Sequence, residues 1–273
     1  MVLDVLSILS ADPAVISVEE QRPEEPFAGA VRLFSLFYRS DGLRVAGYLS
    51  VPKEADGPAP AVIFNRGGNR EFGLLHPNGV CRLSARGYVA LGSQYRGNGG
   101  GEGQEEFGGA EINDVIALVD LCQRLPFVKQ GGVYMQGHSR GGMTTYLCCA
   151  RDSRIKAAAV GAGMSDCVLM YNSREQSMKD VFHDLVGGSP EQLPEAFCAR
   201  SAVCWPEKIL SPVLLCQGTD DWRVVPQQAY DMDAALTRAG KEHKLIVYPG
   251  ADHSLRGTSY LDDVVQWFQA HPF

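Results

Sequence analysis

The sequence has little positive charge relative to its negative charge. Its 25 Lys and Arg residues are outnumbered by 32 Asp and Glu residues, which gives a formal net charge of −7. Because proteins hold a phosphate backbone through clustered Lys and Arg, no nucleic-acid partner is expected. The chain also lacks an apolar run of the roughly 18 residues that a spanning helix needs, and it starts without a basic segment. We therefore expect no membrane partner and a cytoplasmic location.

Motifs for metals, disulfides and phosphates are missing as well. The eight cysteines show no Cys-x-x-Cys spacing, and the six histidines show no His-Glu-x-x-His pattern. These absences favour buried, reduced thiols and exclude the common zinc motifs. The Gly-rich segment 95–103 has neither Walker nor dinucleotide-binding spacing, and we interpret it as a flexible loop beside the site. Neither a metal nor a cofactor is expected.

Length and hydrophobic patterning indicate the fold class. A chain of 273 residues with 45% hydrophobic content is suited to one α/β domain, expected here over 1–273. Short apolar runs alternate with helical patterns, which predicts about eight strands in a mostly parallel sheet with helices on both faces. The predicted strands are 33–39, 44–51, 61–65, 88–94, 132–136, 157–161, 213–217 and 244–248, the first two forming a hairpin. The predicted helices are 111–124, 143–150, 227–239 and 259–269.

A long segment at 162–211 interrupts this alternation. It mixes helical stretches with Pro190, Pro194 and Pro206 between two predicted core strands. Insertions of this length commonly fold as a cap or lid, although an elongated crossover without functional contacts is the alternative. If the segment covers the site, its apolar residues would line a pocket. These residues are Met164, Leu169, Met170, Tyr171, Phe182 and Trp205, the last being our candidate for substrate binding.

The motif Gly137-His138-Ser139-Arg140-Gly141 carries the clearest chemical signal. It follows the apolar strand pattern 133–136 and precedes a helical pattern. A Gly-x-Ser-x-Gly sequence between strand and helix is typical of a nucleophile elbow, which exposes the serine hydroxyl at a helix N-terminus. We therefore predict Ser139 as a nucleophile, with a purely structural turn as the alternative.

An acid and a histidine follow in the chain order that such a site requires. Asp220 and Asp221 come just after the predicted strand 213–217, and His253 comes just after the predicted strand 244–248. A carboxylate that orients the histidine could come from the neighbouring loop, because both loops lie at the carboxyl edge of the sheet. These residue types alone leave the choice between Asp220 and Asp221 open.

Three motifs together resemble the catalytic domain of the prolyl oligopeptidase family. They are Gly137-His138-Ser139-Arg140-Gly141-Gly142, Gly218-x-x-Asp221-x-x-Val224-x-Pro226 and Tyr248-Pro249-Gly250-x-x-His253. Dienelactone-hydrolase-like and acetyl-xylan-esterase-like hydrolases share much of this pattern. The resemblance implies an α/β-hydrolase fold with Ser139, Asp221 and His253 as the catalytic triad, and it selects Asp221 over Asp220.

The same resemblance places an oxyanion hole after the strand 61–65. The backbone N–H groups of Gly68 and Arg140 would form it. Arg66 stands where a tyrosine or histidine is common in related enzymes. Arg66 and Arg70 are therefore candidates for binding a substrate carboxylate, with solvated loop arginines as the alternative.

The expected activity is serine hydrolysis of a carboxylic ester or a peptide or amide bond through an acyl-enzyme. Prolyl oligopeptidases add a large propeller domain, for which 273 residues leave no room. We expect the substrate to be a small ester, with a short peptide as the alternative. A non-catalytic binding protein on a hydrolase scaffold is a remote alternative, and the sequence leaves open whether the chain forms a homodimer.

Overall fold

Nine strands form the centre of the protein, seen in a computed structural model that describes residues 4–54 and 57–273. The strands are β1 Val15–Gln21, β2 Val31–Ser40, β3 Leu43–Pro52, β4 Ala61–Asn65, β5 Val89–Ser93, β6 Val133–His138, β7 Ile155–Gly161, β8 Val213–Gly218 and β9 His243–Tyr248. They form one sheet in the order β1-β2-β3-β5-β4-β6-β7-β8-β9. From β5 onward in this order, neighbouring strands run parallel, whereas β1, β2, β3 and β5 pair antiparallel.

The helices lie between the strands and cover both faces of the sheet. They are α1 Val5–Ala11, α2 Asn78–Ser84, α3 Ile112–Cys122, α4 Arg140–Cys149, α5 Cys167–Ser173, α6 Gln176–Leu185, α7 Pro194–Arg200, α8 Gln227–Arg238 and α9 Tyr260–Ala270, with 3₁₀ turns at Ala202–Cys204 and Pro206–Lys208. One face carries α2 and α9, whose Val80, Leu83, Val264 and Phe268 belong to a single apolar cluster. A second cluster on the other face joins α1, α3, α4 and α8. Because both faces are covered, the central strands β4 and β5 are buried along their whole length.

The order of the strands brings two loops together at the middle of the sheet. β4 lies between β5 and β6, so the chain leaves β4 toward one side and later returns to pair on its other side. Such a switch point opens a crevice at the carboxyl ends of the strands. Here the crevice lies between the loop after Asn65 and the turn after His138, since Asn65 pairs with Gly137.

The predicted, mostly parallel sheet with helices on both faces is confirmed, with nine strands where about eight were expected, and the predicted hairpin forms between β2 and β3. The structure adds the edge strand β1, which the sequence analysis missed. Its exposed and half-buried residues do not alternate as in a strand with one buried face. Antiparallel pairing with β2 supplies the order that the hydrophobic pattern did not indicate.

The burial of the cysteines and the character of the helices can be compared with the expectations from the sequence. All eight cysteines are free; six are buried as expected, but Cys198 and Cys204 are exposed. Both exposed thiols lie in the segment 162–211, one on α7 and one in the 3₁₀ turn that follows. Among the residues described, no helix combines the length and the apolar character needed to cross a bilayer.

Candidate active site

Ser139 sits on a strained turn between β6 and α4. It has φ +60° and ψ −126°, a combination that is costly for a residue with a side chain. The turn requires glycine on both sides of Ser139, because neither Gly137 nor Gly141 has space for a methyl group. A Cβ on Gly137 would lie 2.1 Å from the carbonyl oxygen of Gly141, and one on Gly141 would lie 2.0 Å from that of Asn65. The motif thus forms the elbow that its sequence predicts.

Asp221 and His253 meet at the ends of β8 and β9. His253 Nδ1 lies 2.8 Å from Asp221 Oδ2, and the carboxylate is buried. The other carboxylate oxygen accepts hydrogen bonds from the backbone N–H groups of Arg223 and Val224, each at 2.9 Å. Asp221 is therefore fixed before any substrate binds, and it holds the imidazole in one orientation.

Asp220 points elsewhere. Its carboxylate accepts a hydrogen bond from Thr219 Oγ1 at 2.9 Å and is exposed. The two adjacent aspartates thus have different partners, and only one of them faces His253. In the structure this is Asp221.

His138, which the sequence analysis gave no role, supports the loop that carries His253. Its Nε2–H donates a hydrogen bond to the backbone carbonyl oxygen of His253 at 2.8 Å, and the two rings meet edge to face at 4.9 Å. A carbonyl oxygen only accepts, so the proton of neutral His138 resides on Nε2. Burial, with a contribution from nearby His253, lowers the pKa of His138 to about 4. His138 is thus neutral near pH 7. The only sequence signal was its place beside Ser139 in the elbow motif.

A cavity of about 340 Å³ joins these groups. Ser139, His253 and His138 open onto it, together with the backbone of the loop after β4. That loop lies close to the nucleophile, because a Cβ on Gly67 would lie 2.9 Å from Ser139 Cβ. The remaining lining residues are Gly67, Gly68, Asn69, Phe72, Gly73, Phe107, Arg140, Met164, Met170, Arg174, Met178 and Arg223. In the structure described, Ser139 Oγ and His253 share the cavity without a direct hydrogen bond, a contact that is often long in free enzymes.

The two residues predicted for the oxyanion hole lie on one wall of this cavity. Gly68 and Arg140 both line it, and the carbonyl oxygen of Gly68 accepts a hydrogen bond from Arg140 Nη1 at 3.1 Å. Arg140 is also the first residue of α4, so its backbone N–H is among those without an i−4 partner in the helix. Their role in binding an oxyanion stays a prediction.

The side chain of Arg140 anchors the elbow to residues 105–111, which follow the Gly-rich segment, and sequence analysis did not anticipate this contact. Its guanidinium lies 2.6 Å from Glu105 and 2.6 Å from Glu111, and it stacks on Tyr95 and Phe107. Burial alone would lower the pKa of Arg140, but Glu111 and Glu105 raise it above its ordinary value. Arg140 is therefore a buried cation with two carboxylate partners. The two acidic residues that follow the Gly-rich segment were the available signal.

The predicted substrate-binding roles of Arg66 and Arg70 are not supported by their positions. Arg66 is 2% exposed, and its guanidinium donates to the backbone carbonyls of Gln94, Gly67, Gly73 and Arg70 and lies 3.9 Å from the carboxylate of Glu105. It shapes the loop after β4 from within. Arg70 lies outside the cavity lining, where it pairs with Asp184 at 2.6 Å on the surface. The buried guanidinium of Arg66 is not free to meet a substrate carboxylate, and that of Arg70 lies on the surface outside the cavity.

Trp205 also lies away from the cavity. It is 7% exposed, and its indole N–H donates to the carbonyl oxygen of Cys198 at 2.9 Å. Its ring belongs to the apolar cluster on the α4 face of the sheet. The side chain therefore packs the segment 162–211 onto the sheet and does not line the pocket as predicted.

The segment 162–211 nevertheless contributes one side of the cavity. Of the six apolar residues predicted to line a pocket, Met164 and Met170 do so. The structure adds Met178 and Arg174, whereas Leu169, Tyr171 and Phe182 are not part of the lining. Phe182 stacks on Phe197 with ring centroids 5.1 Å apart. These aromatic residues therefore pack inside the segment and do not face the cavity. Flexible methionines are left to form the surface toward the cavity.

In the part of the chain that the structure describes, no group of three or more Asp, Glu, His or Cys side chains is arranged so that it could hold a metal ion. The chemistry available in the cavity is that of a serine hydroxyl, an imidazole and a buried carboxylate.

Comparison with known proteins identifies the family. The sequence model of the prolyl oligopeptidase family matches residues 79–271. The chain belongs to this family. An uncharacterized peptidase of Bacillus subtilis (strain 168), YtmA, is 33% identical over 237 residues, covering 86% of this chain and 91% of that protein. Membership of the prolyl oligopeptidase family makes the chain a hydrolase of the peptidase or esterase kind.

Solved structures show the same fold. A Pyrococcus horikoshii acylaminoacyl peptidase superposes with a TM-score of 0.77 at 19% identity, covering 89% of this chain but 42% of its own. An acetyl xylan esterase from Paenibacillus sp. R4 superposes with a TM-score of 0.71 at 17% identity, covering 97% of this chain and 92% of its own. These structures confirm the predicted α/β-hydrolase fold. The chain spans less than half of that peptidase and nearly all of the esterase.

Proposed function

We propose that the protein is a serine hydrolase that cleaves carboxylic ester or peptide bonds through an acyl-enzyme. One observation supports this above all. His253 Nδ1 lies 2.8 Å from a carboxylate oxygen of buried Asp221, and His253 lines the same cavity as Ser139 on its elbow. Nucleophile, base and orienting acid are thus assembled from three different loops. A structural role for this arrangement would require neither the strained φ of Ser139 nor a cavity beside it.

The residues define the steps of the proposed reaction. Asp221 holds the proton on His253 Nδ1, which leaves Nε2 free to accept the proton of Ser139 as Oγ attacks the carbonyl carbon. The N–H groups of Gly68 and Arg140 stabilise the oxyanion of the tetrahedral intermediate. His253 then gives the proton to the departing alcohol or amine, and the acyl group remains on Ser139. Water activated by the same imidazole releases the acid and restores the serine.

We favour small esters over short peptides as substrates. Putative carboxymethylenebutenolidases of Escherichia coli (strain K12) and a Synechocystis strain match over 74% and 82% of their own lengths, as the single-unit acetyl xylan esterase does over 92%. The acylaminoacyl peptidase of Pyrococcus horikoshii is instead covered over 42%, whereas the uncharacterized peptidase YtmA is covered over 91%. We also propose that the segment 162–211 acts as a cap, since Met164, Met170 and Met178 form part of the cavity wall. Several expectations from the sequence stay predictions: one domain over 1–273, a cytoplasmic location, and the absence of nucleic-acid and membrane partners. Whether the chain forms a homodimer stays open.

Active-site labelling followed by a substrate screen tests this function. A fluorophosphonate probe should label the wild-type protein and fail to label Ser139→Ala. p-Nitrophenyl esters and N-acylated aminoacyl arylamides, which carry no free amine, should then be compared by kcat/KM, with higher values expected for the esters. Labelling that is unchanged in Ser139→Ala would contradict the assignment of the nucleophile. Higher kcat/KM values for arylamides would replace the esterase with a peptidase and leave the mechanism intact.

A further inference from the structure

The cavity beside Ser139 is positively charged. Arg140, Arg174 and Arg223 line it, and no Asp or Glu is found among its described lining residues. Composition does not explain this excess, because the whole chain carries a formal net charge of −7. The local charge therefore depends on which of the three guanidinium groups are neutralised by carboxylates behind the wall.

Two of the three arginines are neutralised. Arg140 is paired with Glu105 and Glu111 in the protein interior. Arg174 makes two hydrogen bonds to the carboxylate of Glu175, each at 2.8 Å. The third arginine differs. Among the described residues, the guanidinium of Arg223 has neither a carboxylate partner nor a hydrogen-bond acceptor, and its ring contact is with Trp222 at 5.2 Å.

The backbone of Arg223 is fixed beside the reaction centre, whereas its side chain is exposed. Its backbone N–H donates to Asp221 Oδ1 at 2.9 Å, and its carbonyl oxygen accepts from Arg174 Nη1 at 3.0 Å. Trp222 is 62% exposed and has a guanidinium from Arg174 5.4 Å away as well as that of Arg223. Stacking on an aromatic ring leaves the N–H groups at the guanidinium edge available to a ligand.

A second cavity of about 700 Å³ lies on the other side of His253 and also includes Arg223. Its charged residues besides Arg223 are Arg256 and Asp252. The carboxylate of Asp252 accepts hydrogen bonds from Ser254 N at 2.8 Å and Ser254 Oγ at 2.6 Å, neutral donors that leave its charge in place. Two arginines and one aspartate thus give this cavity an excess of one positive charge, and Arg223 is the arginine that borders both cavities.

We propose that this site selects substrates that carry a carboxylate, which Arg223 binds, and that it disfavours substrates with a protonated amine near the scissile bond. The proposal rests on the proposed hydrolase function. A carboxylate can accept two parallel hydrogen bonds from the guanidinium edge. An ammonium group in the same cavity would lose water without gaining a carboxylate and would face an unpaired positive charge. The substrate class is therefore an anionic ester or amide, and a free amino terminus close to the scissile carbonyl is disfavoured.

Three p-nitrophenyl esters of equal chain length test the charge selection: the hexanoate, the mono-ester of adipic acid and the 6-aminohexanoate. In the wild-type protein, kcat/KM should fall from the anionic to the neutral to the cationic ester, chiefly through KM. Arg223→Gln should reduce the ratio of anionic to cationic kcat/KM about tenfold, the size expected for one charge-assisted hydrogen bond. Arg223→Lys should retain part of the ratio. Arg151→Gln removes a positive charge from an exposed position outside both cavities and should leave the ratio unchanged.

The outcomes separate this proposal from the proposed function. Equal rates for all three esters, or a ratio that is the same in the wild type and Arg223→Gln, overturn charge selection while ester cleavage and Ser139 labelling still support the hydrolase. A loss of the ratio in Arg151→Gln would show that net charge, not Arg223, is responsible. Absence of both labelling and ester cleavage would overturn the hydrolase and the charge selection together.

Discussion

Replacing Asp221 with asparagine is the sharpest test of the proposed mechanism, because the structure shows what each side-chain atom would do. The two N–H groups of Arg223 and Val224 donate to Oδ1, so an asparagine would keep its amide oxygen at that position. Its NH₂ group would then face His253 Nδ1 in place of Oδ2. An NH₂ group donates, which forces Nδ1 to be unprotonated and puts the imidazole proton on Nε2. The base can then no longer accept the proton of Ser139.

The expected loss is large and confined to catalysis. The wrong tautomer lowers kcat by roughly 10⁴ in serine proteases, and we expect a similar factor here. The loop itself should remain ordered because both backbone hydrogen bonds to Oδ1 are kept. The assay is ester hydrolysis by purified Asp221→Asn, with thermal unfolding as the check on folding. Asp220→Asn is the matched control and should keep most of the activity, since Asp220 is exposed and bonded to Thr219. An Asp220→Asn protein that is inactive beside a largely active Asp221→Asn protein would refute the reasoning.

Three further predictions concern the elbow and its surroundings. Ser139→Ala should lower kcat by a factor on the order of 10⁶ with unchanged unfolding temperature, and retention of a tenth of the activity would remove Ser139 as the nucleophile. Gly137→Ala should lower the free energy of unfolding by about 3 kcal/mol or more in urea denaturation, since its methyl group would lie 2.1 Å from the Gly141 carbonyl oxygen, whereas Gly29→Ala has open space and should change little. For His138, a pKa lowered from 6.5 to about 4 means that the unfolded chain binds the proton first, so stability contributed by the neutral ring is present above pH 6.5 and is lost as pH falls toward 4. His138→Gln should flatten this fall in urea denaturation between pH 7 and pH 4.5, and an unchanged slope would show that the ring does not titrate with folding.

Much of the fold and the core of the site could be predicted because they depend on local sequence. The apolar runs of β4 to β8 predict strands that are buried in the sheet. Gly137 and Gly141 predict the elbow, because no larger residue fits at either position. Ser139, Asp221 and His253 could be predicted to meet because each follows a parallel strand, and these strands all end at one edge of the sheet.

The parts that sequence analysis missed depend on contacts between distant segments. β1 is ordered by pairing with β2, and its own residues show little alternation. Arg66 is an arginine in a loop by sequence, and only the fold reveals that four backbone carbonyls surround it. The cap shows the same limit. Its aromatic residues pack inward against one another and its methionines face the cavity, a choice that composition alone does not determine.

The ion pairs beneath the nucleophile also constrain how this protein can change. Arg140 is almost fully buried between Glu105 and Glu111, and the buried guanidinium of Arg66 lies 3.9 Å from Glu105. Two arginines and two glutamates balance, so replacing any one of the four leaves an uncompensated charge in the interior. Removing one partner of a buried pair typically costs about 3–5 kcal/mol, whereas replacing the whole set with apolar residues is often neutral. We therefore expect these four positions to vary together in related sequences, the arginines being retained where both glutamates are retained. Residues 105 to 111 are, in this sense, as much a part of the nucleophile turn as Ser139 itself.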